Sequence, residues 1–259
     1  MALLLALSLR GREALTRISE GRIHFLDYYP LAVSLSQRGV LAYPTQPDLP
    51  TAFRGGLYPS FLAALANLLP HPRPEPLMAV QVALSAGMVV LVFSAGAAIH
   101  SPAAGLIAAS LYAVDPEQIR YAPNLNVEFF FSLLLMAVAL ALIEWAGHPR
   151  PGSAALLGAA LGISVACRSA LWLFPLALAI GGALRRRLWP DAARHALLAA
   201  AVGVIPLLPW IARNAVQFTA FVPFERCASA ANVYAASLGM REPEVGDQEG
   251  EPVDRGRGP

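Results

Sequence analysis

The sequence predicts an all-α, polytopic transmembrane bundle of about six to seven helices, with interfacial helices in its first long loop. Composition carries part of that prediction: of 259 residues, 56% are hydrophobic and only 14% charged, whereas soluble domains are about a quarter charged. Patterning carries more, because apolar runs recur at 77–99, 103–114, 127–145, 154–167, 170–184 and 196–212. Gly, Ala and Ser dominate these runs, and small residues let helices approach closely in lipid. Several runs fall short of the roughly 20 residues of a simple span. They are expected to be broken helices packed inside protein, or to depend on flanking side chains that reach the interface.

The N-terminal run, Met1 to Leu9, has no basic residue before it and no small-residue cleavage site after it, so it does not read as a signal peptide. It reads as half a span, cut off by Arg10, Arg12, Glu13 and Arg17, as a misplaced start or a truncated chain would leave it. Residues 20–76 form a long loop. In it, Tyr28 to Leu41 mixes Leu31, Val33, Leu35 and Val40 with Ser34, Ser36, Gln37 and Arg38, which predicts a helix lying in the headgroup region and stopped by Gly39. A Pro-rich connection, Tyr43 to Pro50, leads to a turn at Phe53 and a second short apolar helix. The membrane domain is expected to occupy 1–240, and the polar tail 241–259, rich in Pro, Gly and acid, to be disordered.

Orientation follows from the basic loops, since Lys and Arg near span ends stay on the cytoplasmic side. Placing Arg185 to His195 inside also puts 147–153 and 100–102 inside. Residues 20–76, 115–126, the turn at Arg168 and the pair Arg213–Asn214 then face outward. Asp27, Arg54, Asp115, Glu117, Arg120, Glu128, Arg168 and Arg213 therefore converge on one face of a plasma or inner membrane. Each taken singly is also explained as an interfacial charge at a helix end. Glu128 and Arg168 lie closest to apolar segments, where an ionisable group is costly and usually faces a partner or a cavity.

Much chemistry is excluded. The net charge is +2 with scattered arginines, so no nucleic-acid footprint exists. No phosphate loop, nucleophile elbow, HExxH or close His/Cys set occurs. The two cysteines, Cys167 and Cys227, form no disulfide framework. Asp27, Asp115 and Glu117 are the carboxylates available to a divalent cation, which needs several oxygens in one place; the sequence identifies no certain cofactor and no metal-binding residue.

A carboxylate among aromatic residues, with arginines on the same membrane face, suits sugar transfer from a polyprenyl phosphate carrier. The acceptor hydroxyl needs a base, for which Asp27 is the candidate. The departing phosphate needs cations, for which Arg54, Arg168 and Arg213 are the candidates. Tyr28, Tyr58, Glu128 and Asn214 are expected to line the substrate cavity. Asp27 taken alone reads first as a carboxylate capping the helix that follows it.

The segments LDYYPLAVSLSQRG (26–39), FRGGLYPSFLAAL (53–65), RYAPNLNVEFFF (120–131), ACRSALWLFP (166–175) and LPWIARNAVQFTAFVPF (208–224), in this order, resemble the GT-C type integral-membrane glycosyltransferases. These include the protein O-mannosyltransferase, aminoarabinose transferase and lipopolysaccharide galacturonic acid transferase relatives. The resemblance implies that Asp27 matches the acidic residue of the first outer loop. Arg54 to Pro59 matches an Arg-Pro-Pro-x-Tyr-Pro turn, with Gly55 and Gly56 in place of the prolines, a change expected to loosen the turn. Glu128 matches the carboxylate opening the fourth helix, Arg168 the arginine after a Gly-rich span, and Arg213–Asn214 the end of a Trp-x-x-Arg-Asn motif. It further implies a polyprenyl-phosphate sugar donor, membrane lipids as neighbours and an outward-facing site. Such proteins run longer than this chain, so a noncatalytic truncated remnant is one alternative reading; a transporter or flippase is the other. The sugar and the acceptor are not encoded legibly.

Overall fold

The computed structural model describes residues 1–21, 28–68, 73–184 and 191–225, and among these every regular element is helical. Asp27, the basic run 185–190, Cys227 and the tail 241–259 lie outside the described residues.

Helix α1, Ala2–Ser19, is followed by α2, Tyr28–Arg38, and α3, Leu57–Ala66, which pack on each other as the two short helices of the first loop. Gly39 ends α2 at φ +69°, a left-handed position that suits glycine. Then come α4, Pro74–Ile99; α5, Pro102–Val114; α6, Pro116–Tyr121; α7, Val127–Gly147; and α8, Pro151–Cys167. A 3₁₀ turn, Ser169–Leu171, precedes α9, Phe174–Leu184. Helix α10, Ala192–Val204, is joined through a 3₁₀ turn at Ile205–Leu207 to α11, Leu208–Phe218. Helices α4, α5, α6 and α8 each start on a proline, whose missing N–H costs nothing in the first turn.

Three stretches are long and apolar enough to cross a membrane: Pro74–Ile99, Val127–Gly147 and Ala192–Phe218. The apolar helices Pro102–Val114, Pro151–Cys167 and Ser169–Gly181 are shorter and pack among them. The chain is a multi-pass helical membrane bundle. Its contacts use the small residues directly. A Cβ on Gly105 would meet Phe93 O of α4 at 2.4 Å, and one on Gly162 would meet Gly203 O of α10 at 2.2 Å. At one end Trp145 Nε1 donates to His195 Nδ1 at 3.1 Å, tying the C-terminus of α7 to the start of α10. Glu144 pairs with Arg150 at 3.1 Å at that same end.

The N-terminal helix departs from expectation. It does not stop at Arg10 but continues through it to Ser19, because Arg10 is fully buried with its guanidinium engaged. Nε donates to Ser85 Oγ at 2.9 Å, Nη2 to Tyr112 O at 3.0 Å and Nη1 to Ala113 O at 3.0 Å. Those two carbonyls end α5. In an unbroken helix Tyr112 O would accept from residue 116, but Pro116 has no N–H, and Glu117 N donates to Asp115 Oδ1 instead, at 2.9 Å. Arg10 thus satisfies the carbonyls that the α5–α6 break releases, and Arg17 pairs with Glu13 at 2.8 Å one helical turn away.

Arg10→Met should leave both carbonyls without a donor at a cost of about 1–3 kcal/mol each. The midpoint of thermal unfolding in detergent is expected to fall clearly, with Arg10→Lys in between. A midpoint equal to wild type for the Met variant would show that the break does not depend on this side chain.

Candidate functional site

At the end of the bundle opposite Trp145 and His195, α7 begins and α8 ends side by side. Glu128 lies in the first turn of α7, where a carboxylate complements the helix dipole, and Arg168 follows the last turn of α8, where a cation does. Their side chains meet, Arg168 Nη1 to Glu128 Oε1 at 3.4 Å, with 47% and 61% of each exposed. An exposed pair of this kind contributes only about 0–1 kcal/mol. It can therefore be opened by a competing anion at little cost. Beyond Arg168, Ser169 N donates to Glu225 Oε1 at 3.3 Å, which fixes the turn that carries the arginine.

Arg54 stands over two aromatic faces, with its guanidinium carbon 5.6 Å from the Tyr28 ring centre and 5.1 Å from that of Phe53. Tyr28 in turn meets Tyr58 edge to face at 5.4 Å, and Tyr58 packs on Phe130 at 5.2 Å. Burial pushes the Tyr28 phenol above its ordinary value; the Arg54 charge opposes that shift, Glu128 adds to it, and Arg168 opposes it. Tyr28 thus feels Arg54, Glu128 and Arg168 together. It stays protonated at neutral pH and can donate a hydrogen bond but not accept a proton.

Gly55 and Gly56, expected to loosen the Arg54 turn, also permit a close approach. A Cβ on Gly55 would lie 2.4 Å from Cys167 O, and one on Gly56 2.3 Å from the Trp210 ring. The two glycines allow the loop to seat directly on the end of α8 and on α11. Arg213 secures the same loop from the other side, donating through Nη1 to Thr51 O at 2.8 Å and to Asn214 Oδ1 at 2.8 Å while lying over Trp210 and Phe218. Beside it is a mainly apolar cavity of about 340 Å³ whose walls include Leu35, Leu41, Leu57, Pro206, Trp210 and Arg213.

The structure therefore gathers Tyr28, Arg54, Glu128 and Arg168, and sets Arg213 behind the Thr51–Gly56 loop. Tyr58 and Asn214, expected to line the cavity, are fully buried with their polar atoms engaged: Tyr58 Oη donates to Gln81 Oε1 at 2.6 Å, and Asn214 Nδ2 to Val222 O at 2.9 Å. They support the walls. Asp115 caps α6, and Glu117 pairs with Arg120 at 3.3 Å, so these three serve local ends. Among the described residues no three His, Cys, Asp or Glu side chains stand together to hold a metal. Sequence reading passed over Gln81, Asn124, Asn126 and Glu225. Gln81 was the most findable, as a polar residue inside an apolar run.

A match to the dolichyl-phosphate-mannose-protein mannosyltransferase family runs from residue 55 to 212. The chain belongs to this family. Its match takes in Tyr58, Glu128 and Arg168, while Asp27, Tyr28, Arg54, Arg213 and Asn214 fall outside the matched span. Among curated proteins and solved structures, nothing matches the chain. Membership makes it a membrane glycosyltransferase of the GT-C type.

Two outcomes are expected from the packing. Gly55→Ala should displace the Arg54 loop and lower glycosyl transfer, whereas Gly11→Ala, with nothing within 4 Å of the added carbon, should not; equal activities would mean that the loop's seat on α8 is irrelevant. Tyr28→Phe should leave the pH profile of transfer unchanged between about pH 6 and 9, since the ordinary phenol value near 10 is raised further here. A profile limb that vanished with the hydroxyl would show Tyr28 titrating in the reaction.

Proposed function

We propose that the chain transfers a sugar from a polyprenyl-phosphate-linked donor to an acceptor hydroxyl on the extracytoplasmic side of the membrane. The observation that carries the reading is the Arg168–Glu128 pair beside Arg54 and Tyr28, at the end of the bundle away from Arg150 and Arg194. The family's own description, a mannosyltransferase using a dolichyl-phosphate sugar, supports the lipid-phosphate donor. The basic residues of the opposite end support an outward-facing site.

In the proposed reaction the acceptor hydroxyl gives its proton to Asp27, the base assigned from the sequence, as its oxygen bonds to the anomeric carbon of the sugar. The bond from that carbon to the phosphate oxygen breaks, and the electron pair leaves with the polyprenyl phosphate. Arg168 and Arg54 stabilise the oxyanion, Arg168 by exchanging Glu128 for phosphate. The apolar cavity of about 340 Å³ beside Trp210 accommodates the first part of the isoprenyl chain.

The test is a transfer assay with radiolabelled polyprenyl-phosphate sugars and envelope lipids and proteins as acceptors. Asp27→Asn should reduce product by about 10²–10⁴-fold without affecting membrane insertion. Arg168→Gln should raise the KM for donor by roughly tenfold or more. Full activity of Asp27→Asn would return that residue to a capping role.

A further inference from the structure

The Glu128 carboxylate has a second face. On the side of α7 that carries Glu128 and Ser132 lies a cavity of about 300 Å³, lined by Gln118, Tyr121, Asn126, Glu128, Phe129 and Ser132. This is the small end of the range of ligand pockets. Asn126 is the unexpected member. It occupies the N-cap of α7 with extended backbone, the position where asparagine ordinarily accepts a hydrogen bond from the first turn, yet its side chain makes no such bond. It is buried, 8% exposed, and its Oδ1 accepts no hydrogen bond at all among the described residues. Leaving a buried amide oxygen without a donor is unfavourable in itself. Oδ1 itself lies beneath the surface of the cavity that its residue lines, so an oxygen relieved neither by its own helix nor by a neighbour gains a donor from a ligand when the amide turns toward that cavity.

The rest of the lining narrows the ligand class. Ser132 Oγ donates to Glu128 O at 2.8 Å and keeps its lone pairs available. Gln118 Oε1 accepts from Tyr112 Oη at 3.1 Å, which turns its amide nitrogen into the group on offer. Only one Glu128 oxygen is in contact with Arg168. A phosphate would meet the Glu128 carboxylate and the Asn126 oxygen, both electron-rich. A hard cation would find one carboxylate, already facing a guanidinium, where it needs several oxygens. Groups that both donate and accept, set on a small ring with apolar C–H faces for Tyr121 and Phe129, match every wall.

We infer that this cavity is a subsite for a glycosyl ring, with Glu128, and Asn126 once its amide turns into the cavity, accepting from its hydroxyls and Gln118 and Ser132 available to complete the set. The inference rests on the proposed lipid-phosphate sugar chemistry. It places a ring on one side of Glu128 and, through Arg168, the phosphate on the other, the order of groups in a glycosyl phosphate. An acceptor glycan carries the same chemistry, so the test separates the two sources.

Equilibrium binding to the full chain in detergent would use citronellyl phosphate bare, or carrying mannose, glucose, galactose or aminoarabinose, and the corresponding octyl glycosides. Wild type should bind at least one glycosylated phosphate about fivefold or more tighter than the bare lipid, the value of one or two hydrogen bonds. Asn126→Leu should erase that advantage and leave bare-lipid affinity within about twofold; Gln118→Ala, less disruptive to folding, should reduce it. If the sugars instead confer their advantage as octyl glycosides alone, and Asn126→Leu removes it, the ring belongs to the acceptor and the subsite stands. If wild type binds no lipid phosphate, the donor reading fails, and the octyl glycosides decide the subsite by themselves. Sugar-dependent affinity that survives both substitutions, or no sugar-dependent affinity in any arm, overturns the inference.

Discussion

A helix broken against the packed interior of a membrane bundle releases carbonyls that need donors from the protein itself, and the fold depends on how those carbonyls are satisfied. The 13 residues of α5 rise roughly 20 Å, short of a hydrocarbon core of about 30 Å, before Asp115 and Pro116 break the helix. Arg10 supplies donors to Tyr112 O and Ala113 O from α1. Further along the same connection, Gln81 of α4 donates to Ala122 O at 3.3 Å and to Asn124 O, and Arg17 of α1 donates to Asn124 Oδ1. Polar residues set in otherwise apolar helices thus fix the α5–α6–α7 connection. That connection delivers Asn126 and Glu128.

The same network reaches the site from below. Gln81 accepts from Tyr58, Tyr58 supports Tyr28, and Tyr28 supports Arg54, so a chain of contacts runs from the α6–α7 loop through α4 to the Arg54 guanidinium. Every link in it is buried except the last. Such an arrangement holds an arginine by its shape and its aromatic seat. The glycines at 55 and 56 serve the same end, because only residues without a Cβ allow the loop to rest on Cys167 O and Trp210.

The helices were legible in the sequence because composition and period decide them: the runs at 77–99, 127–145 and 154–167 become helices at 74–99, 127–147 and 151–167. The stop at Gly39 was legible as turn chemistry. Arg10 was misread because a charge in an apolar run looks like the end of a span until its partners, Tyr112 and Ala113, some hundred residues away, are known. The nearness of Glu128 to Arg168 could be expected only as a shared membrane face; which cation meets which carboxylate is settled by the packing of α7 on α8. Asn126 was hidden for a different reason. Its residue type suits an N-cap perfectly well, and only the absence of that bond makes it conspicuous.

Charge balance links these parts. A bare guanidinium near the bilayer is costly, by about 2.5–3.5 kcal/mol at a helix centre on insertion scales. Each arginine near the site carries a means of reducing that cost: Arg168 a carboxylate, Arg54 two aromatic faces, Arg213 a carbonyl, an amide and two rings. The three devices are not equivalent. The acceptors that Arg213 meets are neutral and its bonds tie down a loop, so breaking them would unseat Thr51. The Arg168 pair is exposed and long at 3.4 Å, and an arriving phosphate could replace the carboxylate with a like charge. Glu128, once displaced, would keep its place at the helix N-terminus, where the dipole still favours its charge. In the proposed reaction, phosphate binding therefore frees a carboxylate next to a cavity with an unpaired amide oxygen behind its wall, so that anchoring the carrier and preparing the wall for hydroxyl groups become one event.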